Sequence, residues 1–497
     1  MFDVLAPDFV QDALYNSEKR RSEHAVVCQE ATRTSVLNAI RAWADSAAST
    51  NQICWLSGPA GTGKTTVAHT IAAEYDQRGR LAASFFLWRK TGDRDDINKL
   101  VSTLAYQIVQ NVSVAKEGLE KHLGLKNDSQ EPFAVLRDRL WKISIEDRLS
   151  KLLTNRSILN SGSLVPNLLI IDGLDECSSR EGIHRLIQWI RKNKTPFRFL
   201  LTSRPELDIK LSFISGRHTN VRTLSLTESE DDIRKYFVEQ LEKVWPIQQR
   251  LEEYGPPHWP LNSDLDKLVE KSEGLFIYAA TAIRYIKEDN PSKRLEDVLV
   301  LHTGLDYLYV QVIEVARKRQ YFDIVMGSVM YLRYPLSVDD LSAILATLNK
   351  YLTSAGICSA LRGCHSILSF GAGEIIEPRH ASLRDFLTDQ SRSMTLFLAP
   401  ATCHGRLMLG CLSVITRAFS DGTAAAKYPL VSWYHHACFF LTTSANVGDG
   451  LREMRQKAQE LVKKMDLNWI RSWMIQAWQW VAIPDFQVDL PPSKVQE

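Results

Sequence analysis

The sequence carries almost no net charge: 60 Lys and Arg stand against 58 Asp and Glu, leaving +2 at neutral pH. No global field therefore draws the protein to nucleic acid or to an acidic membrane, and neither is an expected partner. Cysteine is sparse, eight residues without the short paired spacing of a disulfide framework, which points to a reducing, cytoplasmic setting. Long apolar runs are missing too. The most apolar helical stretch, GLFIYAATAIRYI from Gly274, is too short to span a bilayer and carries Arg284. The opening residues, which soon reach Asp8 and Asp12, lack the basic start and apolar core of a signal peptide. No repeat with a period of about 20 to 50 residues is found.

What is present is a globular composition, 45% apolar and 24% charged over 497 residues, enough for roughly two to four domains with their own cores. Cys358, Cys364, His365, Cys403, His404 and Cys411 fall close enough to invite a metal reading, as do His435, His436 and Cys438. Their spacing does not suit a zinc knuckle, and small buried side chains are the expectation.

The first motif is Gly58-Pro59-Ala60-Gly61-Thr62-Gly63-Lys64-Thr65, a full match to G-x-x-x-x-G-K-[ST]. Its flanks give it weight. Ile53 to Ser57 is short, apolar and rich in strand formers, while Thr66 to Glu74 has helical spacing, so the order is strand, loop, helix. Glycines let successive N–H groups turn inward, and the helix adds its positive end, making an anion cradle. Lys64 is expected to reach the β and γ phosphates and Thr65 to place its hydroxyl on magnesium, with Thr66 capping or packing beside them.

A second motif is Leu168-Leu-Ile-Ile-Asp172, an apolar run ending in a carboxylate and followed by Gly-Leu-Asp175-Glu176. Such runs are buried parallel strands. A carboxylate at the C-terminal end of a strand beside the phosphate loop is where magnesium is held, usually through water, and Asp172 is assigned that role. Asp175 and Glu176 then compete to orient the attacking water; Glu176 is assigned to polarise it, with Asp175 nearer the metal. A third run, Phe197 to Ser203, ends at Arg204-Pro205, and an arginine there would sense a γ-phosphate by charge-assisted bonding. The other reading of Arg204 is a solvated or carboxylate-paired side chain. Further strands are expected at Ala82 to Trp88 and Val221 to Leu226, with helices near Ile97 to Val112 and Leu136 to Leu153. Strands alternating with helices argue for a doubly wound parallel sheet, whose strand ends bind the ligand.

Taken together, WLSGPAGTGKTT, LLIIDGLDEC, FRFLLTSRPE and the upstream CQEATRTSVLNAIRAW resemble the NACHT family of signal-transducing P-loop ATPases, in a form similar to fungal members. The resemblance implies residues 1–50 as an N-terminal segment and helix, 51–228 as the NACHT P-loop NTPase domain, and 229–318 as a small helical domain. A winged-helix domain follows at 319–400 and a C-terminal helical region at 401–497. It implies ATP and ADP with Mg2+ as ligands, slow hydrolysis serving a switch, self-association on activation, and an unidentified downstream protein partner. His380, in HASLRDFL, corresponds to the histidine that contacts the β phosphate of ADP and fastens the winged helix. Pro335-Leu-Ser337-Val-Asp-Asp340 supplies a capping-box start within that region. The small helical domain departs from the pattern, reading GLFIY where related receptors place a proline near the adenine. The stretch before Ile53 leaves no expected room for a separate effector domain. A continuously cycling remodelling ATPase is the alternative, and a winged-helix DNA-binding ATPase a weaker one, since Ala381 to Leu387 offers only Arg384.

Near the end, Leu451, Met454, Ala458, Leu461, Val462 and Met465 fall at helical spacing, followed by Trp469, Trp473, Trp478 and Trp480. Docking onto the protein's own domain is expected, with an exposed partner face as the alternative. Pro484, Pro491 and Pro492 suggest a frayed end.

Overall fold

The computed structural model describes residues 9–17, 27–46, 51–89, 93–112, 167–214, 221–226, 230–244, 259–371, 373–421, 426–443 and 449–463. The expected helix from Leu136 to Leu153 lies outside them, as do Met465, the four late tryptophans and the three late prolines. The chain divides into two compact units, one of residues 1–309 with 379–382, the other of residues 310–378 with 383–497.

In the first unit, α1 (Thr34–Asp45) leads to β1 (Ile53–Ser57), α2 (Lys64–Gln77), β2 (Leu81–Phe86) and α3 (Ile97–Asn111). Then come β3 (Leu168–Asp172), α4 (Arg180–Lys192), β4 (Arg198–Ser203), α5 (Leu207–Ile214) and β5 (Val221–Ser225). All five strands pair in parallel, in the order β2-β3-β4-β1-β5. The sheet is doubly wound, and its sequence pattern shows why. Trp55, Phe85, Ile171 and Leu201 join a core beneath α3, α4 and α5, whereas Cys54, Leu56, Phe86, Ile170 and Leu200 join a second core beneath α1 and α2. Strands buried on both faces are apolar at most positions, so their runs show no alternation. Asp96 and Ser179 start α3 and α4 by accepting the N–H groups of Asn98 and Gly182.

Side chains bond part of the β2 edge of this sheet. Gln107 on α3 accepts the Ser84 N–H (3.0 Å) and donates to the Ser84 carbonyl (2.8 Å), and Asn111 donates to the Ala82 carbonyl (3.0 Å). Outside it, Tyr15 N–H donates to Ser84 Oγ (3.2 Å), and its carbonyl lies 2.8 Å from His69 Nε2 on α2. The unit continues through α6 (Glu230–Glu242), α7 (Asn262–Ser272), α8 (Phe276–Lys287), α9 (Pro291–Val300) and the start of α10 (Leu305–Arg317).

The second unit holds α11 (Phe322–Tyr331), β6 (Leu336–Ser337), α12 (Val338–Leu345), α13 (Ser354–Ala360), β7 (Leu368–Ser369) and β8 (Ile375–Pro378). β8 pairs antiparallel with both β6 and β7. Ser337 caps α12 by accepting the Asp340 N–H at 3.0 Å. After α14 (Ala381–Leu387), whose first two residues group with the first unit, and α15 (Gln390–Ser393) come α16 (Pro400–Ser420), α17 (Lys427–Thr443) and α18 (Asp449–Lys463). Leu451, Met454, Ala458 and Leu461 of α18 pack on Met408, Leu409, Leu412 and Phe440, so this apolar stripe is core.

A buried polar chain runs through α16 and α17. Arg333 N–H donates to Tyr428 Oη (3.0 Å), Tyr428 Oη lies 2.8 Å from His436 Nε2, and the Nδ1 atoms of His436 and His404 are 2.8 Å apart. Among the described residues, no group of three or more His, Cys, Asp and Glu side chains is arranged to hold a metal ion, and no single helix is long and apolar enough to cross a membrane.

Candidate functional site

The phosphate loop bridges β1 and α2. Gly58 N–H donates to the Ser203 carbonyl at 3.3 Å, which ties the loop's start to the end of β4. Gly61 and Gly63 hold φ of 82° and 89°, a region other residues enter at a cost. At Gly61 there is a second reason for glycine: a Cβ would stand 2.1 Å from Ile277 Cγ2 on α8. Gly63 is the N-cap of α2, so Lys64, Thr65 and Thr66 form its first turn. Thr65 is exposed there, and the Thr66 carbonyl accepts the Thr70 hydroxyl at 2.8 Å. Thr62 donates to the Pro59 carbonyl (3.0 Å), Ala60 is partly buried, and Lys64 Nζ donates to the carbonyls of Gly58 (2.8 Å) and Pro59 (2.7 Å).

Because β4 stands between β1 and β3, its C-terminal end lies between the loop and the acidic strand. Asp172 closes β3 and is buried; its Oδ1 accepts the Thr202 hydroxyl at 2.6 Å. The same hydroxyl accepts the Gly173 N–H at 2.9 Å, so one threonine fixes both the carboxylate and the turn after it. A short 3-10 turn, Leu174–Glu176, then presents Asp175 and Glu176. Asp175 is buried and paired with Arg204, accepting its N–H at 2.9 Å and meeting its Nε at 3.2 Å. The arginine expected to sense a phosphate is thus held by a carboxylate here, the other of its two readings.

Glu176 Oε2 accepts the Arg89 N–H at 3.0 Å, and Arg89 Nη2 donates to the Asp175 carbonyl at 2.9 Å. Burial, helped by the charge of Asp175, raises the Glu176 carboxyl to about 7. Burial also lowers the Lys64 ammonium below the usual lysine range; the fields of Asp175, Asp172 and Glu176 oppose that shift and Arg204 adds to it. Asp172, Asp175, Glu176 and Arg204 are therefore all near enough to Lys64 to act on its charge.

Arg33, Arg89 and Thr202 were not singled out from the sequence. Arg33 is buried, donates from Nη2 to the Thr62 carbonyl (2.9 Å), and places its guanidinium 4.8 Å from the Phe276 ring centroid. Its backbone N–H donates to Asp232 Oδ2 at 3.0 Å. Ile277 N–H, one residue on from Phe276, donates to the Gly61 carbonyl at 3.1 Å, so the GLFIY segment grips the loop through its backbone. His380 sits apart in sequence, yet residues 379–382 group with this first unit. Its Nδ1 lies 2.6 Å from Ser382 Oγ and accepts the Ser382 N–H at 3.1 Å.

A parallel sheet of this strand order with a glycine-cradled lysine and a strand-end aspartate is a P-loop NTPase core. Residues 31–204 match the family profile described as "Nephrocystin 3, N-terminal". That match covers the phosphate loop, the acidic strand and Arg204, where a NACHT profile was the expectation. No curated protein matches the chain. Among solved structures, C. elegans PCH-2 is 13% identical with a TM-score of 0.30, over 58% of this chain and 72% of that one. The Aeropyrum pernix ORC1 protein in complex with DNA is 16% identical with a TM-score of 0.28, over 80% and 98%. Cdc6p from Pyrobaculum aerophilum is 13% identical with a TM-score of 0.30, over 75% and 89%. Similarity at this level leaves the fold assignment resting on the sheet order and the loop. It gives no support to the expectation that nucleic acid is not a partner.

Proposed function

We propose that the chain is a nucleotide-controlled switch of the NACHT type, binding ADP or ATP through Gly58 to Thr66 and hydrolysing ATP slowly. The observation that carries this reading is the convergence of Lys64, Asp172, Asp175, Glu176 and Arg204 at the C-terminal ends of adjacent strands. The oxygen-only donors Thr65 and Asp172 suit magnesium and would hold it. When bound, that ion would neutralise charge on the phosphates. The remaining work falls to side chains. Lys64 leaves its loop carbonyls for the phosphates, Thr202 orients Asp172, and Glu176, as the carboxylate, polarises the attacking water. Arg204 exchanges Asp175 for the γ-phosphate, a contact that ends with hydrolysis.

The proposed domain limits are those of the resemblance, with a winged helix over 319–400 whose His380 latches onto the β phosphate of ADP. Holding the closed form near 99:1 takes about 2.7 kcal/mol of ADP-dependent contact if the empty protein is evenly balanced. One charge-assisted phosphate contact supplies much of this. Opening exposes a surface for self-association in the cytoplasm. The test is the nucleotide carried by freshly purified protein. Near-stoichiometric, slowly exchanging ADP supports the switch, whereas an empty site with steady turnover makes the chain a remodelling ATPase instead.

A further inference from the structure

Two hydrogen bonds at His380 Nδ1 fix which of its atoms carries a proton. The Ser382 N–H can only donate, so His380 Nδ1, 3.1 Å away, is an acceptor and carries no proton. Ser382 Oγ, 2.6 Å from the same nitrogen, must then give it its own proton. With that proton spent, the Ser382 oxygen takes the hydroxyl of Tyr309, 2.8 Å away. Tyr309 and Ser382 are both buried. A one-way chain results, from Tyr309 O–H to Ser382 O–H to His380 Nδ1. The ring's single remaining proton is on Nε2, and protonating Nδ1 would break two bonds at once.

We propose that Tyr309 and Ser382 are positioning residues that hold His380 as the Nε2–H tautomer, so that a neutral imidazole presents a fixed N–H donor to a phosphate oxygen of the bound nucleotide. This rests on the switch reading above. The bland competitor is a cap: His380 precedes Ala381, the first residue of α14, and its ring accepts an N–H of the first turn as an N-cap side chain does. The two roles part at asparagine, which caps at least as well but carries no Nε2–H donor.

The experiment uses the full chain with 15N-labelled histidine and reads both the two-bond 15N–1H signals of the His380 ring and the release of bound ADP. We expect a pyridine-type Nδ1 and a pyrrole-type Nε2 in the parent. Ser382→Ala, which leaves the backbone N–H as the remaining donor to Nδ1 of the two described here, should weaken the preference for the Nε2–H tautomer and give about fivefold faster ADP release, and Tyr309→Phe a smaller change in the same direction. His380→Asn should release ADP about tenfold faster at an unchanged Tm. A protonated Nδ1 in the parent overturns the proposal, and so does Ser382→Ala or His380→Asn keeping ADP as long as the parent. A parent that binds no ADP overturns the switch reading instead, and the ring signals still decide the tautomer.

Discussion

Two of the buried polar clusters among the described residues are built on opposite plans. In the second unit, Arg333, Tyr428, His436 and His404 form a series in which each donor meets an acceptor. Tyr428 Oη accepts the Arg333 N–H and shares a hydrogen bond with His436 Nε2, and His436 and His404 share another between their Nδ1 atoms. Burial keeps His436 uncharged. In the first unit, Lys64, Asp172, Asp175, Glu176 and Arg204 bring charges of both signs to one place, with Lys64 resting on loop carbonyls and Glu176 pushed toward neutrality. Burial of titratable groups therefore does not mark a site by itself. A closed neutral series specifies packing, whereas converging charges with displaced proton affinities specify a ligand.

The largest effect that would break this contrast is at Lys64. Lys64→Ala removes the cation expected on two phosphates and should weaken ATP binding about 1,000-fold in calorimetry; an unchanged affinity refutes the site. Next comes Glu176→Gln, which should slow hydrolysis about 100-fold while leaving ATP affinity within about threefold. For the parent, the hydrolysis rate should climb with pH through about 7, because only the ionised Glu176 polarises water. A flat profile from pH 5.5 to about 8.5 removes Glu176 from that role.

Thr202→Val sharpens the contrast further. It keeps the shape of β4 but frees the Asp172 carboxylate and the Gly173 N–H, and magnesium-dependent ATP affinity should drop about tenfold. The smallest effect belongs to the neutral series. Burial and the neighbouring His404, His435 and Arg333 hold His436 well below 6.5. A histidine whose native proton affinity is depressed contributes stability that is complete above its unfolded value and lost as pH falls below about 6.5. Thermal unfolding should show that loss, and His436→Gln should blunt it while nucleotide affinity stays at the parent value. Acid sensitivity identical in the two proteins would mean that the series does not titrate on unfolding.

How much of this was legible in the sequence follows the same divide. The loop, Asp172, Asp175, Glu176 and Arg204 are local in the chain: each ends an apolar run or fills a fixed motif position, so pattern alone finds them. Strand limits moved by one or two residues, as where β2 ends at Phe86 rather than Trp88, because pairing with β3 stops at Asp172. Arg33, Arg89 and Thr202 escaped because their partners lie 29, 86 or 87, and 30 positions away. Nothing beside them in sequence announces those contacts. A carboxylate partner for Arg204 was one of two readings, but that the partner is Asp175, 29 positions away, escaped for the same reason. His380 was marked by motif position alone; Tyr309, 73 residues before Ser382, carries no such mark.

The amides of Gln107 and Asn111 on the outer side of β2 have a consequence for assembly. An edge strand whose backbone groups already have partners cannot recruit the strand of another molecule. At that margin, pairing with a second chain would first have to break the bonds to the Ser84 N–H and to the Ser84 and Ala82 carbonyls, whereas β5, the other edge strand among the described residues, is partly exposed. Side-chain surfaces and β5 are therefore easier starts for association between copies than β2.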